Sequence, residues 1–361
     1  MANRKVLTEL LGIKYPILLS PMAGVSTPEL AAIVSNEGGL GSLGLGASPV
    51  EKSREAIFKT QLLTDKPFQV NFFCHEQEPL NKTAANGWTS FMEPIFGKFG
   101  ATPKKELKKI YKSFLEEPKM LELVLDTKPK AVSFHFGVPS KEIIQELKRA
   151  NIVTMATVTQ ISEANVARQA GIDILVAQGV EAGGHRGMFN PSVDPGILTK
   201  DLVMLLVSKI GDPYGIPIVA AGGIMRGRDI KEMYRLGADG CQLGTAFIQC
   251  KESGASEAYR EALFKPKIIT QITDSISGRP ARAIFNSWHS EVDIPSRPQR
   301  PCYPNAYDLG KQLHSVSSSV ENSNTNNPSS FGIHWAGSNV IKSRRLDASK
   351  LFQTLVQEID E

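Results

Sequence analysis

The chain has 361 residues, 41% of them hydrophobic, and a formal net charge of +4, so it can bury a large core and its mild charge does not favour a nucleic-acid partner. No apolar run is long enough to span a membrane or resembles a signal peptide, which predicts a soluble, cytoplasmic protein without a membrane partner. The four cysteines, at positions 74, 241, 250 and 302, show no metal-type spacing, so neither a metal site nor a disulfide framework is expected.

Eight short apolar runs, rich in β-branched residues, alternate with helical segments along the chain. Continuous apolar strands that alternate with helices are typical of a parallel sheet covered on both faces, and eight such units close a barrel. The predicted fold class is therefore α/β, a TIM (β/α)8 barrel. The expected strands are residues 16–20, 39–44, 68–73, 131–137, 152–158, 173–179, 217–223 and 240–247.

Some segments do not fit this repeat. Residues from about 75 to 128 are too many for one crossover helix, so a helical insertion is predicted after strand three. Its basic run, residues 104–112, is interpreted as the solvated face of a helix. Residues 315–330, rich in Ser and Asn, are predicted to be a mobile loop or a disordered excursion, before a C-terminal helix at 347–359 that packs back on the barrel. The whole chain, residues 1–361, is expected to be a single domain.

Residues suited to binding a flat ring follow the first, third and sixth predicted strands. Met22 lies in a turn fixed by Pro21 and Gly24 and offers a soft apolar surface, although a methionine of the core explains it equally well. Asn71 and Gln178 end strands that are otherwise apolar, and such positions face the active site of a barrel. Their amides either bind the edge of a heteroaromatic ring or are buried structural groups.

A histidine lies in the fourth predicted strand. Alternation along the strand places Ser133 and His135 on one face and two aromatic residues, Phe134 and Phe136, on the other. His135 is therefore expected to point inward near the top of the barrel. A histidine satisfied within the core would show the same pattern, so a functional and a structural interpretation both stay open.

The segment Glu181–Gly187 carries one histidine in a glycine-rich loop directly behind the apolar run 173–177. The two glycines before His185 let the main chain come close to a flat ligand. An imidazole in this position can exchange a proton near neutral pH, which makes His185 the first candidate for a catalytic base. The alternative is a glycine-rich surface turn that happens to carry a histidine.

The seventh and eighth predicted strands end in the glycine-containing loops Gly222–Gly223 and Gly244–Thr245. In barrels these two loops are the usual phosphate site, where backbone N–H groups supply the donors and a threonine hydroxyl can add another. The pair predicts a phosphorylated cofactor or substrate rather than two tight turns. No Gly-x-Gly-x-x-Gly fingerprint follows a strand, which favours a monophosphate over a dinucleotide.

Tyr303, Tyr307 and Lys311 recur at intervals of four residues, so a helix would carry two phenols and an ammonium in one stripe. This stripe could bind a small anion. An exposed helix face explains the spacing about equally well, and both interpretations stay open on the sequence alone.

Together these motifs resemble the FMN-dependent nitronate monooxygenases, formerly called 2-nitropropane dioxygenases. The resemblance runs from about Leu11 to Phe285 and looks closest to the group that includes yeast and fungal members. It is carried by residues 21–24, 35–41, 132–137, 181–187 and 220–224, with looser echoes at 277–282 and 335–337. The Ser- and Asn-rich segment before Trp335 departs from the family pattern.

The resemblance implies that FMN binds at the top of the barrel and that His185 is the catalytic residue. It places the phosphate at the two glycine loops and the flavin ring near Met22, Asn71 and Gln178. The cofactor-binding residues that it implies are Met22, Ala23, Gly24, Asn71, Gln178, Gly183, Gly222, Gly223, Gln242, Gly244 and Thr245. The substrate-binding residues that it implies are Tyr111, His135, Tyr303, Tyr307 and Lys311.

The implied reaction is the oxidation of alkyl nitronates by O2 to carbonyl compounds and nitrite, without NAD(P)H. Propionate 3-nitronate is a plausible substrate, with its carboxylate at Lys311, and neutral nitroalkanes are a further candidate class. His185 would hold the anion when protonated or remove the α-proton of a nitroalkane when neutral. The nearest alternative is an FMN-dependent enoyl reductase that uses NAD(P)H, and a non-catalytic flavin carrier or sensor is another. The oligomeric state is unknown from the sequence.

Overall fold

The computed structural model, described for residues 4–321 and 331–361, is built on a barrel of eight parallel strands. The strands lie in the spatial order β1–β8–β7–β6–β5–β4–β3–β2. Leu40, just before β2, forms a parallel bridge to Leu18 of β1, and this bridge joins the two ends of the row of strands. All eight predicted strands are confirmed, most of them shorter than predicted. Their bounds are β1 Ile17–Leu19, β2 Gly41–Gly44, β3 Phe68–Phe73, β4 Ala131–His135, β5 Val153–Val158, β6 Ile174–Gln178, β7 Ile218–Ala221 and β8 Gly240–Leu243.

The strands are apolar because both of their faces are covered. One face packs against the surrounding helices, and the other fills the barrel with aliphatic side chains such as Met155, Val176 and Val219. Leu7 and Leu11 of the first helix join this inner cluster. Leu7 lies against Gly240 at the start of β8, so the first helix covers the amino-terminal end of the barrel.

Several helices around the barrel begin or end at residues with ordinary capping chemistry. Thr27 accepts a hydrogen bond from the Leu30 N–H at 3.0 Å, and Gly171 ends its helix with a φ of 93°. The α-helices are Arg4–Leu11, Pro28–Asn36, Val50–Leu63, Lys82–Gly97, Pro118–Thr127, Lys141–Arg149, Ile161–Ala170, Thr199–Leu206, Asp212–Tyr214, Gly227–Arg235, Thr245–Ile248, Glu257–Ala262, Asn305–Glu321 and Ala348–Asp360, with π-helical turns at Val207–Gly211 and Trp288–Val292 and 3₁₀ turns at Phe114–Glu116 and Val340–Lys342. Among the residues described, no helix is long and apolar enough to cross a lipid bilayer.

The insertion after β3 contains two α-helices, but its basic run is not helical. Residues 104–112 are irregular, with Leu107 and Tyr111 buried and the lysines exposed. The prediction of a helix here was wrong because main-chain groups of the run bond to another element instead. The Lys108 N–H donates to Asp308 Oδ2 at 2.7 Å, which ties the run to the helix Asn305–Glu321.

The prediction of a loop at 315–330 was wrong for its first residues, because the helix Asn305–Glu321 continues through Ser315. Leu313 and Ser317 lie one turn apart and are both buried. The Ser317 hydroxyl donates to the His314 carbonyl at 3.1 Å, so this serine is satisfied within the helix instead of interrupting it. Residues 322–330 of the predicted loop lie outside the described residues.

A small antiparallel sheet lies beside the carboxyl end of β6. Its strands are Thr270–Thr273, Ala281–Ile284 and the two-residue strand Gly184–His185, which pairs with the middle one. Ala283 also forms an antiparallel bridge to Trp335. The sequence did not predict this sheet, because strands of two to four residues carry no readable alternation.

The C-terminal helix packs on the barrel as predicted, and its buried Phe352 provides the test. A Cβ on Gly39 would lie 2.6 Å from the Phe352 ring, so the two residues are in close contact. We expect Phe352→Ala to lower the free energy of unfolding by about 3–5 kcal/mol, because it leaves a cavity. Leu62→Ala, at a residue that is 87% exposed, should change it by less than about 0.5 kcal/mol in the same urea titrations. An equal loss of unfolding free energy in the two variants would mean that the C-terminal helix does not pack on the barrel in solution.

Candidate active site at the carboxyl end of the barrel

A cavity of about 410 Å³ opens at the carboxyl ends of the strands. Its wall is formed by residues that end or follow β1, β3, β4, β6, β7 and β8, because parallel strands deliver their carboxyl ends to one rim. The predicted site residues that line it are Met22, Ala23, Gly24, Asn71, Tyr111, His135, Gln178, Gly183, His185, Gly222, Gly223, Gln242, Gly244, Thr245, Tyr307 and Lys311.

Tyr303 is the predicted site residue that does not line this cavity. It precedes the helix Asn305–Glu321, so the predicted helical stripe contains only Tyr307 and Lys311. The Tyr303 ring still lies against the His185 ring, with 5.8 Å between centroids. Its buried hydroxyl has no hydrogen-bond partner within the described residues, and burial raises the pKa of Tyr303 well above its ordinary value.

A serine hydroxyl contacts one nitrogen of the His185 ring. His185 Nε2 lies 2.8 Å from Ser277 Oγ, and the Ser277 hydroxyl donates to the Arg279 carbonyl at 3.1 Å. When the serine hydrogen is directed at this carbonyl, Ser277 Oγ can only accept from His185 Nε2, which then carries its own hydrogen. Nδ1 is then the nitrogen with a free lone pair.

His185 is held as a neutral imidazole. Burial in the cavity wall, together with the nearby His135 and the positive charge of Arg279, lowers the pKa of His185 to about 3. Burial likewise lowers the pKa of His135 to about 4. Near neutral pH the ring of His185 can therefore accept a proton but does not carry a positive charge.

The main chain at His185 is held in place by several hydrogen bonds. The His185 carbonyl lies 3.0 Å from Gln178 Nε2 and 3.2 Å from His135 Nε2, so His135 must be protonated on that nitrogen to donate. The N–H of the following residue, Arg186, donates to the Pro280 carbonyl at 2.9 Å. His135 thus points into the cavity, as the strand alternation predicted, and supports the loop that carries His185.

Three amide side chains in the cavity wall differ in the group that they can offer a ligand. Asn71 Nδ2 donates to the Ser133 carbonyl at 3.1 Å and to Ser133 Oγ at 3.0 Å, which leaves its oxygen as a free acceptor. Gln178 Oε1 accepts from the Gly187 N–H at 2.8 Å, which leaves its nitrogen as a donor. Gln242 Oε1 is approached by Gln69 Nε2 at 3.4 Å, so its nitrogen also faces away from its protein partner.

The two glycine loops leave backbone donors unused. Gly222 and Gly223 have φ values of 118° and 71°, a region that favours glycine. Within the described residues, the N–H groups of Gly223 and Thr245 donate to no protein atom. Thr245 Oγ1 accepts from the Gly337 N–H at 2.9 Å, so its hydrogen can still point to a ligand. These groups suit an anion such as phosphate.

Aromatic rings and a cation form the outer part of the cavity. Lys311 Nζ lies 4.9 Å from the Tyr111 ring centroid and 5.3 Å from that of Tyr307. Within the part of the chain that is described, no carboxylate pairs with this ammonium. Partial burial lowers the pKa of Lys311 below the ordinary lysine value. Trp335 Nε1 donates to the Tyr307 hydroxyl at 3.3 Å, and its ring lies 5.1 Å from that of His185.

Some residues of the site were missed by sequence reasoning. Ser277 lies in the segment 277–282, where the family resemblance gave a weak signal that was not assigned to the site. Tyr259 and Asn339 line the cavity, and no sequence motif pointed to either. Asn339 Nδ2 donates to the Gly223 carbonyl at 2.6 Å, so it supports the predicted phosphate loop from a distant part of the chain. Among the described residues, no group of three His, Cys, Asp or Glu side chains could hold a metal ion.

Comparison with known proteins identifies close relatives. A family model described as nitronate monooxygenase matches residues 4–358. A protein of Paraburkholderia phytofirmans named nitronate monooxygenase is 44% identical over 99% of this chain and 96% of its own length. The structure of a nitroalkane oxidase from Streptomyces ansochromogenes has a TM-score of 0.86, with 34% identity over 98% of this chain and 97% of that one. FabK from Thermotoga maritima has a TM-score of 0.69, with 25% identity over 98% of this chain and 96% of that one. These relatives are bacterial, so the narrower placement with yeast and fungal members finds no support in them.

The neutral state of His185 can be observed directly in the ligand-free protein. We expect the ¹⁵N shifts of its imidazole to show a protonated Nε2 and an unprotonated Nδ1 throughout pH 5–8, because its pKa lies near 3. The folded pKa is below the unfolded value of about 6.5, so the neutral ring stabilises the fold above that value, and this contribution is lost as the pH falls towards 3. His185→Gln assigns the signal. A doubly protonated ring near pH 6.5 would contradict the lowered pKa, and a proton on Nδ1 in place of Nε2 would contradict the tautomer inferred from the Ser277 contact.

Proposed function

The chain belongs to the nitronate monooxygenase family, and from this membership we propose that it is a single FMN-binding domain that oxidises alkyl nitronates with O2. Flavin-dependent oxidation of nitronates or nitroalkanes is the activity of this family, and the products are carbonyl compounds and nitrite. The observation that carries the proposal is a single cavity that brings the unused N–H donors of Gly223 and Thr245 together with the ammonium of Lys311.

The described residues fit FMN in their chemistry. The free N–H groups of Gly223 and Thr245 suit its terminal phosphate. The acceptor of Asn71 and the donor of Gln178 suit a ring edge that carries both kinds of group. A Cβ on Gly183 would lie 2.6 Å from the main chain of Ala336, so glycine is what allows two backbone segments to meet at this wall. When bound, FMN would supply the electron transfer from substrate to O2, which no amino-acid side chain provides.

The lowered pKa of His185 keeps its imidazole neutral, which is the protonation state that one of its two predicted roles, that of the base, requires. Nδ1 carries the free lone pair, so it is the atom that can take the α-proton of a neutral nitroalkane. Ser277, when it accepts from the opposite nitrogen Nε2, keeps the ring in the tautomer whose lone pair is on Nδ1. A nitronate has already lost this proton, so its oxidation does not need the base.

Lys311 supports recognition of a substrate with an anionic tail. Its ammonium has no carboxylate partner within the described residues and lies between two phenol rings at the outer part of the cavity. A carboxylate that reached this position would gain a charge-assisted contact. Propionate 3-nitronate, which carries a carboxylate at the end opposite to its nitronate group, has the required chemistry.

An FMN-dependent enoyl reductase that oxidises NAD(P)H is the second candidate, because a FabK structure is among the neighbours. It is less similar to this chain than the nitroalkane oxidase structure is. A single assay separates the candidates: O2 consumption by the purified flavoprotein with propionate 3-nitronate, beside NADH oxidation with an enoyl thioester. We expect nitronate-dependent O2 uptake and nitrite release without NADH. NADH oxidation alone would establish the reductase, and turnover of neither substrate would support a carrier.

Gly223→Ala tests the phosphate loop. Alanine is strained at a φ of 71°, at a cost of about 1–2 kcal/mol, and its Cβ would lie 3.1 Å from that of Glu181. We expect the Kd for FMN to rise about tenfold or more as the loop shifts. The matched control is Gly215→Ala, which has a φ of 67° and open space around it, away from the cavity. It should lose similar stability but keep its FMN affinity. An equal rise of the Kd for FMN in both variants would show that Gly223 is not part of the phosphate site.

Lys311→Met tests the carboxylate contact. We expect the KM for propionate 3-nitronate to rise about tenfold, while the KM for an alkyl nitronate of similar length without the carboxylate stays nearly constant. Solvent at the outer part of the cavity screens the pair, so a larger effect is not expected. An equal rise for both substrates would mean that Lys311 shapes the cavity rather than pairing with a carboxylate.

His185→Asn separates proton removal from the later steps. With neutral nitroethane, which must lose its α-proton, we expect kcat to fall by about 10²–10⁴, provided that the wild type accepts this substrate. With ethylnitronate, kcat should fall much less. Both substrates are measured in one preparation at known flavin content. A decline by the same factor would show that His185 positions flavin or substrate, and the base would then be sought at His135.

A further inference from the structure

We propose that Arg186 is a positioning residue that fixes which end of the Gln178 side-chain amide faces the cavity. The inference rests on the proposed binding of FMN and adds a residue that does not itself touch the cavity. Arg186 directly follows His185, and its side chain is fully buried. A guanidinium that is withdrawn from water must have its donors satisfied by the protein.

The contacts of Arg186 form a fixed pattern. Nε and Nη2 donate to the two carboxylate oxygens of Asp194 at 2.9 and 3.1 Å. Nη1 donates to the Gln178 carbonyl at 3.0 Å, to Gln178 Oε1 at 3.1 Å and to the Gly179 carbonyl at 2.7 Å. The planar fork of an arginine can hold a carboxylate on one side and a cluster of carbonyl oxygens on the other, whereas a lysine offers only a point charge.

These contacts determine the orientation of the Gln178 amide. Its Oε1 receives donors both from Arg186 and from the Gly187 N–H. A rotated amide would bring its NH2 group against these donors, so two favourable contacts would become repulsive. Nε2 must therefore lie on the other side, where one N–H donates to the His185 carbonyl and the second remains for a ligand. The side chain offers the cavity a donor and no acceptor.

A donor at this position has a consequence for a bound flavin ring. A hydrogen bond to a ring acceptor stabilises the reduced ring, which carries more negative charge, more than the oxidised ring. Arg186 would thus favour flavin binding and raise its midpoint potential without touching it. Asp194 balances the charge of Arg186, so the effect passes through the orientation of Gln178 and not through a net positive charge.

The test is a double-mutant cycle on the full-length protein with Arg186→Lys, Gln178→Ala and the combined variant. The Kd for FMN is measured by flavin fluorescence after removal of the cofactor, and the midpoint potential is measured on the reloaded proteins. We expect each single change to raise the Kd about tenfold and to lower the potential. The combined variant should have a Kd no higher than that of the single variant that binds FMN more weakly, because both changes remove the same donor.

Several outcomes would overturn the proposal. Losses that multiply in the combined variant would show that Arg186 acts independently of Gln178, and a lowered melting temperature with unchanged Kd and potential would show a purely structural role. Arg297→Met is the matched control: this arginine also pairs with aspartates, Asp274 and Asp293, outside the cavity wall, and it should leave the Kd unchanged. If Arg186→Lys does not fold, Asp194→Asn removes the carboxylate that holds the guanidinium and leaves its charge unbalanced. An unbalanced positive charge alone would raise the potential, so a raised Kd with a lowered potential would still report a loosened Gln178 amide, and a raised potential would contradict the proposal. A wild-type protein that binds no FMN would instead refute the proposed function.

Discussion

The site depends on one short piece of antiparallel pairing. His185 pairs with Ala281, and Gly184 pairs with Arg282, although the two segments lie almost a hundred residues apart in the chain. This pairing places Ser277 beside the imidazole and the Pro280 carbonyl beside the Arg186 N–H. Without it, the glycine-rich loop after β6 would be free to move, because glycine loses the most conformational freedom when it is ordered. The chemistry assigned to His185 therefore rests on a strand of only two residues.

Hydrogen bonds to other protein groups orient the amide side chains of the cavity wall. Asn71 donates to Ser133 through its side-chain nitrogen, and the side-chain oxygen of Gln178 accepts from the loop that follows it. Each amide is left with one kind of group facing inward. Since a buried polar group without a partner is costly, such a wall gains from a ligand whose edge supplies the missing partners. Asn71 thus presents an acceptor to the cavity and Gln178 presents a donor.

The sequence predicted the barrel and most of the cavity because both follow from local patterns. Apolar runs marked the strands, and the common rim of parallel strands placed Asn71, His135, Gln178 and the glycine loops together. The rest depended on contacts that no local pattern encodes. Ser277 reaches the site through short strands, and Tyr303 falls outside the helix that its spacing suggested. The basic run near Tyr111 bonds to a distant helix instead of forming its own.

The order of the chain separates the two halves of the site in time. The eighth strand of the barrel ends at Leu243, whereas Tyr307, Lys311 and Trp335 come from the last part of the chain. A ribosome therefore produces all eight strands of the barrel before it produces this side of the cavity wall. The later segment, which bridges to Ala283 and donates to Thr245, then covers that side.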